Sequence, residues 1–215
     1  MAVVATKFDP QKHGFHFVNS FEFPYLFNIS LPLLGPRSIG DIIIGLCGGM
    51  CSGALDYYHK DKTIPADTNT EKIPLSLFRY LWSRQLDTLS MPVLEKLFTW
   101  AIMDTRLLSR LTERNEIPKL RASIDAGQPA MLVLLRARGL LSLTQNHQVL
   151  ATAYDYNPST KDLSVKLYDP NHPGQVPTLS MNLSSPWLGL KLSQSTKEPL
   201  RAFFVIDYLQ KDPPK

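Results

Sequence analysis

The sequence predicts an α+β fold in which an N-terminal helical part packs on a C-terminal antiparallel β-sheet. Two patterns support this prediction. In the first part of the chain, apolar side chains recur at the spacing of amphipathic helices. In the second part, apolar and polar residues alternate in short runs that turn residues separate, as in half-buried strands. Helices followed by strands are typical of the α+β class, and 215 residues suit one domain.

The helical half is expected to span residues 1–130. It begins with aromatic residues that alternate with small or polar ones from Phe15 to Phe27, which predicts a short strand and a long ordered loop. Pro92 suits the first turn of a helix, and Gly127 suits the end of one. Helices are expected over 47–60, 74–87, 91–113 and 116–126.

The sheet half is expected to span residues 131–210. A turn signal, Asn157-Pro-Ser-Thr160, separates two alternating runs, so residues 148–168 are predicted to form a hairpin. Both halves together make one domain over residues 1–215. Strands are expected over 131–135, 148–156, 163–168, 176–183 and 201–208.

Composition favours a globular protein that needs no metal or other cofactor. Hydrophobic residues make up 44% of the chain and charged residues 20%, which are ordinary values. The histidines and the two cysteines match no zinc-binding spacing. The net charge of +4 is mild and gives no reason to expect a nucleic-acid partner. The nearest thing to a basic group is expected to be a solvated face, formed by Lys119, Arg121, Arg136 and Arg138.

Location and partners are predicted from what the chain lacks. The N-terminal residues do not combine a charged start with an apolar core, so no secretory signal is expected. No run approaches the ~18 apolar residues that span a bilayer. Two free cysteines suit a reducing compartment. We expect no membrane partner and a protein that is cytoplasmic or secreted without a classical signal peptide; the sequence gives no sign of its oligomeric state.

A cysteine is expected at the start of the first helix, in the segment Gly45-Leu-Cys-Gly-Gly-Met50. A helix N-terminus carries unpaired N–H groups and about half a positive charge. Both favour the thiolate, which is the nucleophilic form. Cys47 is therefore the candidate nucleophile, and Gly48 and Gly49 are expected to leave its approach open. Cys51 is expected to face the core as a small apolar residue.

His147 is expected at the start of a strand, on the sheet rim, where it can meet a helix N-terminus. A histidine there acts either as a base or as a hydrogen-bonded structural residue. If residues 148–168 form a hairpin, Asp169 returns beside it. A carboxylate or amide there fixes the imidazole tautomer, so Asp169 is the first candidate and Asn171 the second. Asp169-Pro-Asn171 is also ordinary turn chemistry.

The order of these motifs resembles the papain-like cysteine peptidase superfamily. Asn146-His-Gln-Val149 and Leu167-Tyr-Asp-Pro170 are most similar to its bacteriocin-processing, double-glycine-type branch. The resemblance covers residues 41–171. It implies a papain-like fold with Cys47 as nucleophile, His147 as general base and Asp169 as orienting acid. The chain is also similar to bacterial proteins with a Gly-Leu-Cys-Gly-Gly-Met segment, a likeness that supplies no function.

One position departs from that family's pattern. The family carries a glutamine about six residues before the nucleophile, where its side chain helps to form the oxyanion hole. Asp41 stands at this position. An ionised carboxylate would repel a developing oxyanion, and losing one such donor costs about 10²–10³ in rate. The alternative amide donors are Asn19, Asn28 and Gln85.

We therefore expect a cysteine-dependent hydrolase that cleaves amide or peptide bonds in a peptide or protein substrate through a thioester. It would serve as a bacterial effector or a processing peptidase; acyl transfer to an amine and deamidation need the same parts. The alternative is a catalytically inactive papain-like domain that binds a peptide or protein partner, which Asp41 favours. The groove of that binding domain would be lined by Phe15, Phe17, Tyr57 and Tyr58. A third possibility is a structural protein in which Gly45–Gly49 is a tight loop.

Overall fold

The computed structural model describes residues 3–21, 45–136, 138–185 and 189–214, and the side chains of residues 141, 142 and 144 lie outside that description. Within these ranges the protein is α+β. Apart from one two-residue strand, the helices precede an antiparallel sheet, which confirms the predicted order. No helix in the described ranges is both long and apolar enough to cross a bilayer.

The predicted helices are present except that the third is divided, and a four-residue helix that was not predicted lies at Pro10–His13. Asp104 interrupts the stretch predicted as a single helix, because its carboxylate accepts a hydrogen bond from the Arg106 N–H at 2.8 Å and starts a new helix there. A π-helical turn, Thr112–Glu116, then leads into the last helix. The helices are α1 (Pro10–His13), α2 (Cys47–His59), α3 (Leu75–Asp87), α4 (Met91–Ile102), α5 (Thr105–Leu111) and α6 (Ile117–Asp125), with 3₁₀ turns at Thr70–Lys72 and Leu140–Gln145.

The sheet contains all five predicted strands and two more that are too short to show alternation. Its strands are β1 (Val4–Ala5), β2 (Ala130–Leu135), β3 (His147–Asn157), β4 (Asp162–Tyr168), β5 (Thr178–Asn182), β6 (Ser193–Gln194) and β7 (Ala202–Ile206). They are antiparallel, in the order β6-β5-β4-β3-β2-β7, and β1 pairs with β3. β3 and β4 form the expected hairpin.

The hairpin register places two predicted site residues at one edge of the sheet. Leu150 of β3 pairs with Tyr168 of β4. The two strands run in opposite directions, so the residue after Tyr168 comes back toward the start of β3. Asp169 is therefore carried toward His147 by the backbone itself.

Helix α2 lies against α3 and β3, and almost all of its residues are buried. Its glycines serve this packing. A Cβ at Gly49 would lie 2.0 Å from the Leu81 carbonyl oxygen, and one at Gly48 would lie 2.5 Å from Thr88 Oγ1. Packing against Leu81, Thr88 and Gln148 therefore gives Gly48 and Gly49 a role that the sequence did not predict. The segment is also not the tight loop of the structural alternative, because Cys47–Gly49 are helical.

The N-terminal aromatic residues pack into the core instead of forming a surface. Phe15, Phe17 and Tyr57 are buried, so these three cannot line the groove of the binding alternative. Tyr58 is half-buried against Phe8. In the described part of this region the only extended strand is β1, ahead of the aromatics, and residues 22–44 lie outside the description.

Candidate active site

Three chain segments meet at the candidate site. Cys47 is the first residue of α2, His147 is the first residue of β3, and Asp169 follows the last residue of β4. Cys47 is partly exposed, whereas His147 and Asp169 are buried. The structure thus brings together the three residues that the sequence proposed as nucleophile, base and orienting acid.

Asp169 contacts His147 through one ring nitrogen. His147 Nε2 lies 2.6 Å from Asp169 Oδ1. The same oxygen accepts a hydrogen bond from the Asn171 N–H at 2.9 Å. Because Nε2 is engaged with the carboxylate, Nδ1 is the nitrogen left to interact with Cys47. This arrangement fixes the orientation of the imidazole ring.

The carboxylate and the imidazole shift each other's pKa. Burial alone would raise the pKa of Asp169, but the hydrogen bond and the charge of His147 outweigh it and lower that pKa below its usual value. Burial alone would lower the pKa of His147. The hydrogen bonds to Asp169 and Cys47 overcome this effect and raise the pKa of His147 to about 9. The buried pair therefore favours an imidazolium beside a carboxylate.

The same ring activates the thiol. Burial of Cys47 would raise its pKa, but the side-chain hydrogen bond and the charge of His147, with backbone hydrogen bonds from Gln148 and Gly48, lower the pKa below its usual value. The start of α2 adds a favourable dipole for an anion. Both pKa shifts therefore favour the charged forms, the Cys47 thiolate and the His147 imidazolium.

Cys51 differs from Cys47 in its exposure and in the direction of its pKa shift. It is fully buried, and its sulfur contacts the Gln148 carbonyl oxygen at 3.5 Å. Burial, with the nearby Cys47, raises the pKa of the Cys51 thiol well above its usual value. The predicted core position of Cys51 is confirmed.

The candidate oxyanion donors lie in different surroundings. Asn19 lies beside the start of α2, where its Oδ1 accepts from the Leu46 N–H and its Nδ2 donates to Asn171 Oδ1 at 3.0 Å. Asn171 therefore pairs with Asn19, while Asp169 contacts the histidine. Gln85 accepts a hydrogen bond from the Gly49 N–H at 3.0 Å. Asn28 and Asp41 lie outside the described residues.

A cavity of about 450 Å³ opens onto the cysteine. Its wall is polar, and an ion pair between Arg136 Nη2 and Glu198 Oε2, at 3.0 Å, lies in it. A cavity of this size admits a polar side chain and a short length of backbone. The lining residues are Asn19, Gly45, Cys47, Arg136, Gln145, Asn146, His147, Asn171, Glu198 and Pro199. Gln85 is not one of them.

Sequence reasoning missed two parts of this site. Gln194 donates to Asp169 Oδ2 at 3.0 Å from β6, whose two residues carry no periodicity that could have marked it. The sequence predicts a solvated basic face that includes Arg136, but the Arg136 side chain is only 12% exposed. Its position directly after the apolar run of β2 was the available signal, because that placement puts it on the same sheet edge as His147.

One group of potential metal ligands occurs among the described residues. Single ligand atoms of Asp169, His172 and Glu198 lie within 4.8 Å of one another. Protein donors already serve both carboxylates: Gln194 donates to Asp169, and Thr196 donates to Glu198 at 2.7 Å. The group therefore forms part of the hydrogen-bond network behind the histidine.

No family model, curated protein or solved structure matches the chain. Function is therefore inferred from the residues of the site and their geometry.

Proposed function

We propose that this protein is a cysteine-dependent hydrolase of amide or peptide bonds with a papain-like fold. The observation that carries the proposal is the contact between His147 Nε2 and Asp169 Oδ1, which leaves the other ring nitrogen, Nδ1, to Cys47. A helix-borne thiolate beside an oriented imidazolium is the arrangement of a nucleophile and its acid–base partner. The helical half and the sheet half each supply part of it, as the resemblance to papain-like peptidases implies.

The proposed reaction begins when the Cys47 thiolate attacks the carbonyl carbon of an amide. A C–S bond forms, and the carbonyl electron pair moves to oxygen. When that pair returns, the C–N bond breaks, and the departing amine takes the proton of His147. Water then attacks the thioester and gives its proton to His147, and the carboxylic acid leaves as the thiolate returns.

The developing oxyanion needs hydrogen-bond donors. At the start of α2 the N–H groups of Leu46 and Gly49 already donate to Asn19 and Gln85, so the backbone donor proposed here is the Cys47 N–H. Asn19 Nδ2 has two hydrogens and uses one for Asn171, so the other is available to the cavity that it lines. Asn19 is therefore proposed as the side-chain donor in place of the family's glutamine.

Alkylation by iodoacetamide tests the proposal, because the chain has two cysteines and Cys51 serves as an internal control. We expect rapid modification of Cys47 at pH values below the usual thiol pKa, because His147 lowers the pKa of this thiol. Cys51→Ala should leave this rate unchanged, and His147→Ala should abolish it. If Cys47 in the folded protein reacts no faster than a free peptide thiol, the activated nucleophile is disproved.

Turnover distinguishes the hydrolase from the inactive binding domain. Activated acyl esters should leave a thioester on Cys47, which mass spectrometry detects, and a functional enzyme should then release it. A rapidly alkylated Cys47 that never forms or never releases the acyl group would favour the binding domain. Cys47→Ser is the matched control, since it retains the shape of the site and removes the thiolate.

A further inference from the structure

Arg136 places a largely buried cationic side chain in the cavity wall. It follows the last residue of β2, and its backbone N–H donates to Asn146 Oδ1 at 3.1 Å. Asn146 directly precedes His147. The backbone of Arg136 is thus tied to the segment that carries the base. The arginine lines the same cavity as Cys47.

The donors of the Arg136 guanidinium are only partly matched by acceptors among the described residues. The Arg136 side chain is only 12% exposed, and within the described residues its buried Nε and Nη2 make no aligned hydrogen bond. Glu198 Oε2 approaches Nη2 at 3.0 Å, but only as an ion-pair contact. Buried donors that lack an acceptor are costly and rare in proteins. Arg136 therefore has capacity for a further acceptor.

The Glu198 carboxylate has polar neighbours besides Arg136. Its Oε2 also accepts from the Thr196 hydroxyl at 2.7 Å and lies 3.4 Å from His172 Nε2. If an incoming anion took the place of Glu198 at Arg136, the Thr196 hydroxyl would still donate to the Glu198 carboxylate. The unmatched hydrogen-bonding capacity of the wall is thus for an acceptor rather than for a cation.

We propose that Arg136 forms a carboxylate-binding subsite, so that the preferred substrate carries a carboxylate close to the amide that Cys47 attacks. Arginine suits this role because its planar guanidinium can give a carboxylate two parallel N–H donors. Glu198 is the resident counter-ion that the substrate displaces. This inference rests on the proposed function, and it adds the chemical class of the substrate.

Two alkylating reagents that differ in charge provide the test. Iodoacetate and iodoacetamide both react by forming an S–C bond to Cys47 while the C–I bond breaks and iodide leaves. Only iodoacetate carries a carboxylate. The quantity measured is the ratio of the two rate constants at Cys47, which cancels the intrinsic reactivity of the thiolate.

Arg136→Gln should lower the iodoacetate-to-iodoacetamide ratio by about tenfold or more, the effect of losing a charge-assisted contact. Arg136→Lys should lower it less, and Glu198→Gln should raise it. The matched control is Arg138→Gln, which removes the same charge from an exposed arginine outside the cavity. An unchanged ratio in Arg136→Gln and Glu198→Gln overturns the subsite.

The unsubstituted protein offers an independent measurement if a variant does not fold. Propionate should slow the alkylation of Cys47 by iodoacetamide, and neutral propionamide should not. Equal protection by both compounds would overturn the subsite. The proposed function fails separately, when iodoacetamide itself reacts with Cys47 no faster than with a free thiol.

The source of the carboxylate is either an acidic side chain or a chain terminus. Short peptides tested as competitors of alkylation distinguish the two. Stronger protection by an amidated peptide with one aspartate points to side-chain recognition. Stronger protection by a peptide with a free C-terminus and no acidic side chain points to the terminus. Both outcomes support the subsite, and protection by neither contradicts it.

Discussion

Gln194 donates a hydrogen bond to Asp169 Oδ2 at 3.0 Å, using the carboxylate oxygen that His147 does not contact. Both side chains are buried. The carboxylate is thus held at both oxygens, by the imidazole on one and by an amide on the other. Gln194 is therefore a positioning residue, which acts on the nucleophile only through Asp169 and His147.

Replacing Gln194 with alanine should leave Asp169 less well held and weaken its contact with His147. A hydrogen bond to a charged group contributes about 1.5–3 kcal/mol, so we expect alkylation of Cys47 near neutral pH to slow by about tenfold. The pH midpoint of the reaction should also rise, because the imidazolium that lowers the Cys47 pKa is less well supported.

The control for this variant is Gln175→Ala, at an exposed position. Reduced global stability alone would not move the pH midpoint of a cysteine in the folded protein. A Gln194→Ala protein that alkylates more slowly with an unchanged midpoint would contradict the positioning role.

Asp169 is predicted to set the protonation range of His147. Burial is the largest influence on this histidine and lowers its pKa, while the contact with Asp169 is the leading reason that the pKa rises to about 9. Asp169→Asn keeps a possible acceptor but removes the negative charge. The pKa of His147 should therefore fall toward or below its ordinary 6.5, and the protonated ring should be lost at lower pH.

Titration of the His147 ring by NMR measures this change directly. Asp162→Asn is the control, because Asp162 is exposed and lies at the far end of β4 from Asp169. A His147 midpoint that does not differ between Asp169→Asn and the unsubstituted protein would show that the carboxylate does not stabilise the imidazolium.

The sequence predicted the positions of the candidate site residues best where a local pattern fixes them. Alternation on both sides of Asn157–Thr160 defined the hairpin, and the hairpin register then placed Asp169 near His147. The position of Cys47 followed from the pattern of the helix that it begins. These signals are short-range, because each is contained within one continuous stretch of sequence.

The remainder of the site depends on contacts between residues that are distant in the chain. Gln194 reaches Asp169 from an edge strand of two residues, and Asn19 reaches the start of α2 from an irregular segment. Neither has a periodic pattern around it. The packing role of the glycines after Cys47 was not predicted for the same reason, since the groups nearest to them, on Leu81, Thr88 and Gln148, are more than 30 residues away in the chain.

Gly49→Ala should destabilise the protein even though alanine favours helices by about 1 kcal/mol over glycine. The new Cβ would lie 2.0 Å from the Leu81 carbonyl oxygen, and backbone cannot move aside cheaply. Overpacking of this kind costs about 1–3 kcal/mol or more. Urea denaturation of Gly49→Ala should show a lower midpoint than that of the unsubstituted protein.

Gly53→Ala is the matched control in the same helix. Its Cβ would lie 3.0 Å from Leu81 Cδ2, the end of a flexible side chain. It gains the same helix propensity without a backbone clash, so its loss of stability should be clearly smaller. Equal losses in the two variants would contradict the proposed close contact between α2 and α3.

Asp56, near the end of α2 opposite the site, should contribute strongly to the free energy of unfolding. Its buried carboxylate pairs with Arg84 at 2.7 Å and accepts hydrogen bonds from Tyr80, from Tyr208 at 2.6 Å and from the Lys211 N–H at 2.8 Å. Asp56→Asn removes the fully buried charge that faces Arg84, while the Arg84 pair with Asp87 at 2.6 Å remains. The expected loss of stability is therefore below the about 3–5 kcal/mol of a buried charge left without any partner.

Denaturation and limited proteolysis together test this role. Since Tyr208 and Lys211 belong to the C-terminal segment, Asp56→Asn should also make that segment more accessible to protease. Asp212→Asn, which breaks only the exposed pair with Lys60, should change neither measurement appreciably. Similar behaviour of the two variants would remove Asp56 as an anchor for the C-terminal segment.

Asn19→Asp separates the oxyanion donor from the activation of the thiol. The aspartate keeps an oxygen to accept from the Leu46 N–H, but it loses the Nδ2 donor and adds a negative charge beside the cavity. Acylation passes through an oxyanion, so it should slow by about 10²–10³. Alkylation by iodoacetamide forms no oxyanion and should change much less. The rates of acylation and alkylation of Cys47 are measured on one preparation. A parallel loss of both rates would mean that Asn19 only holds the start of α2 in place. Acylation at the unsubstituted rate would assign the oxyanion donor to another group.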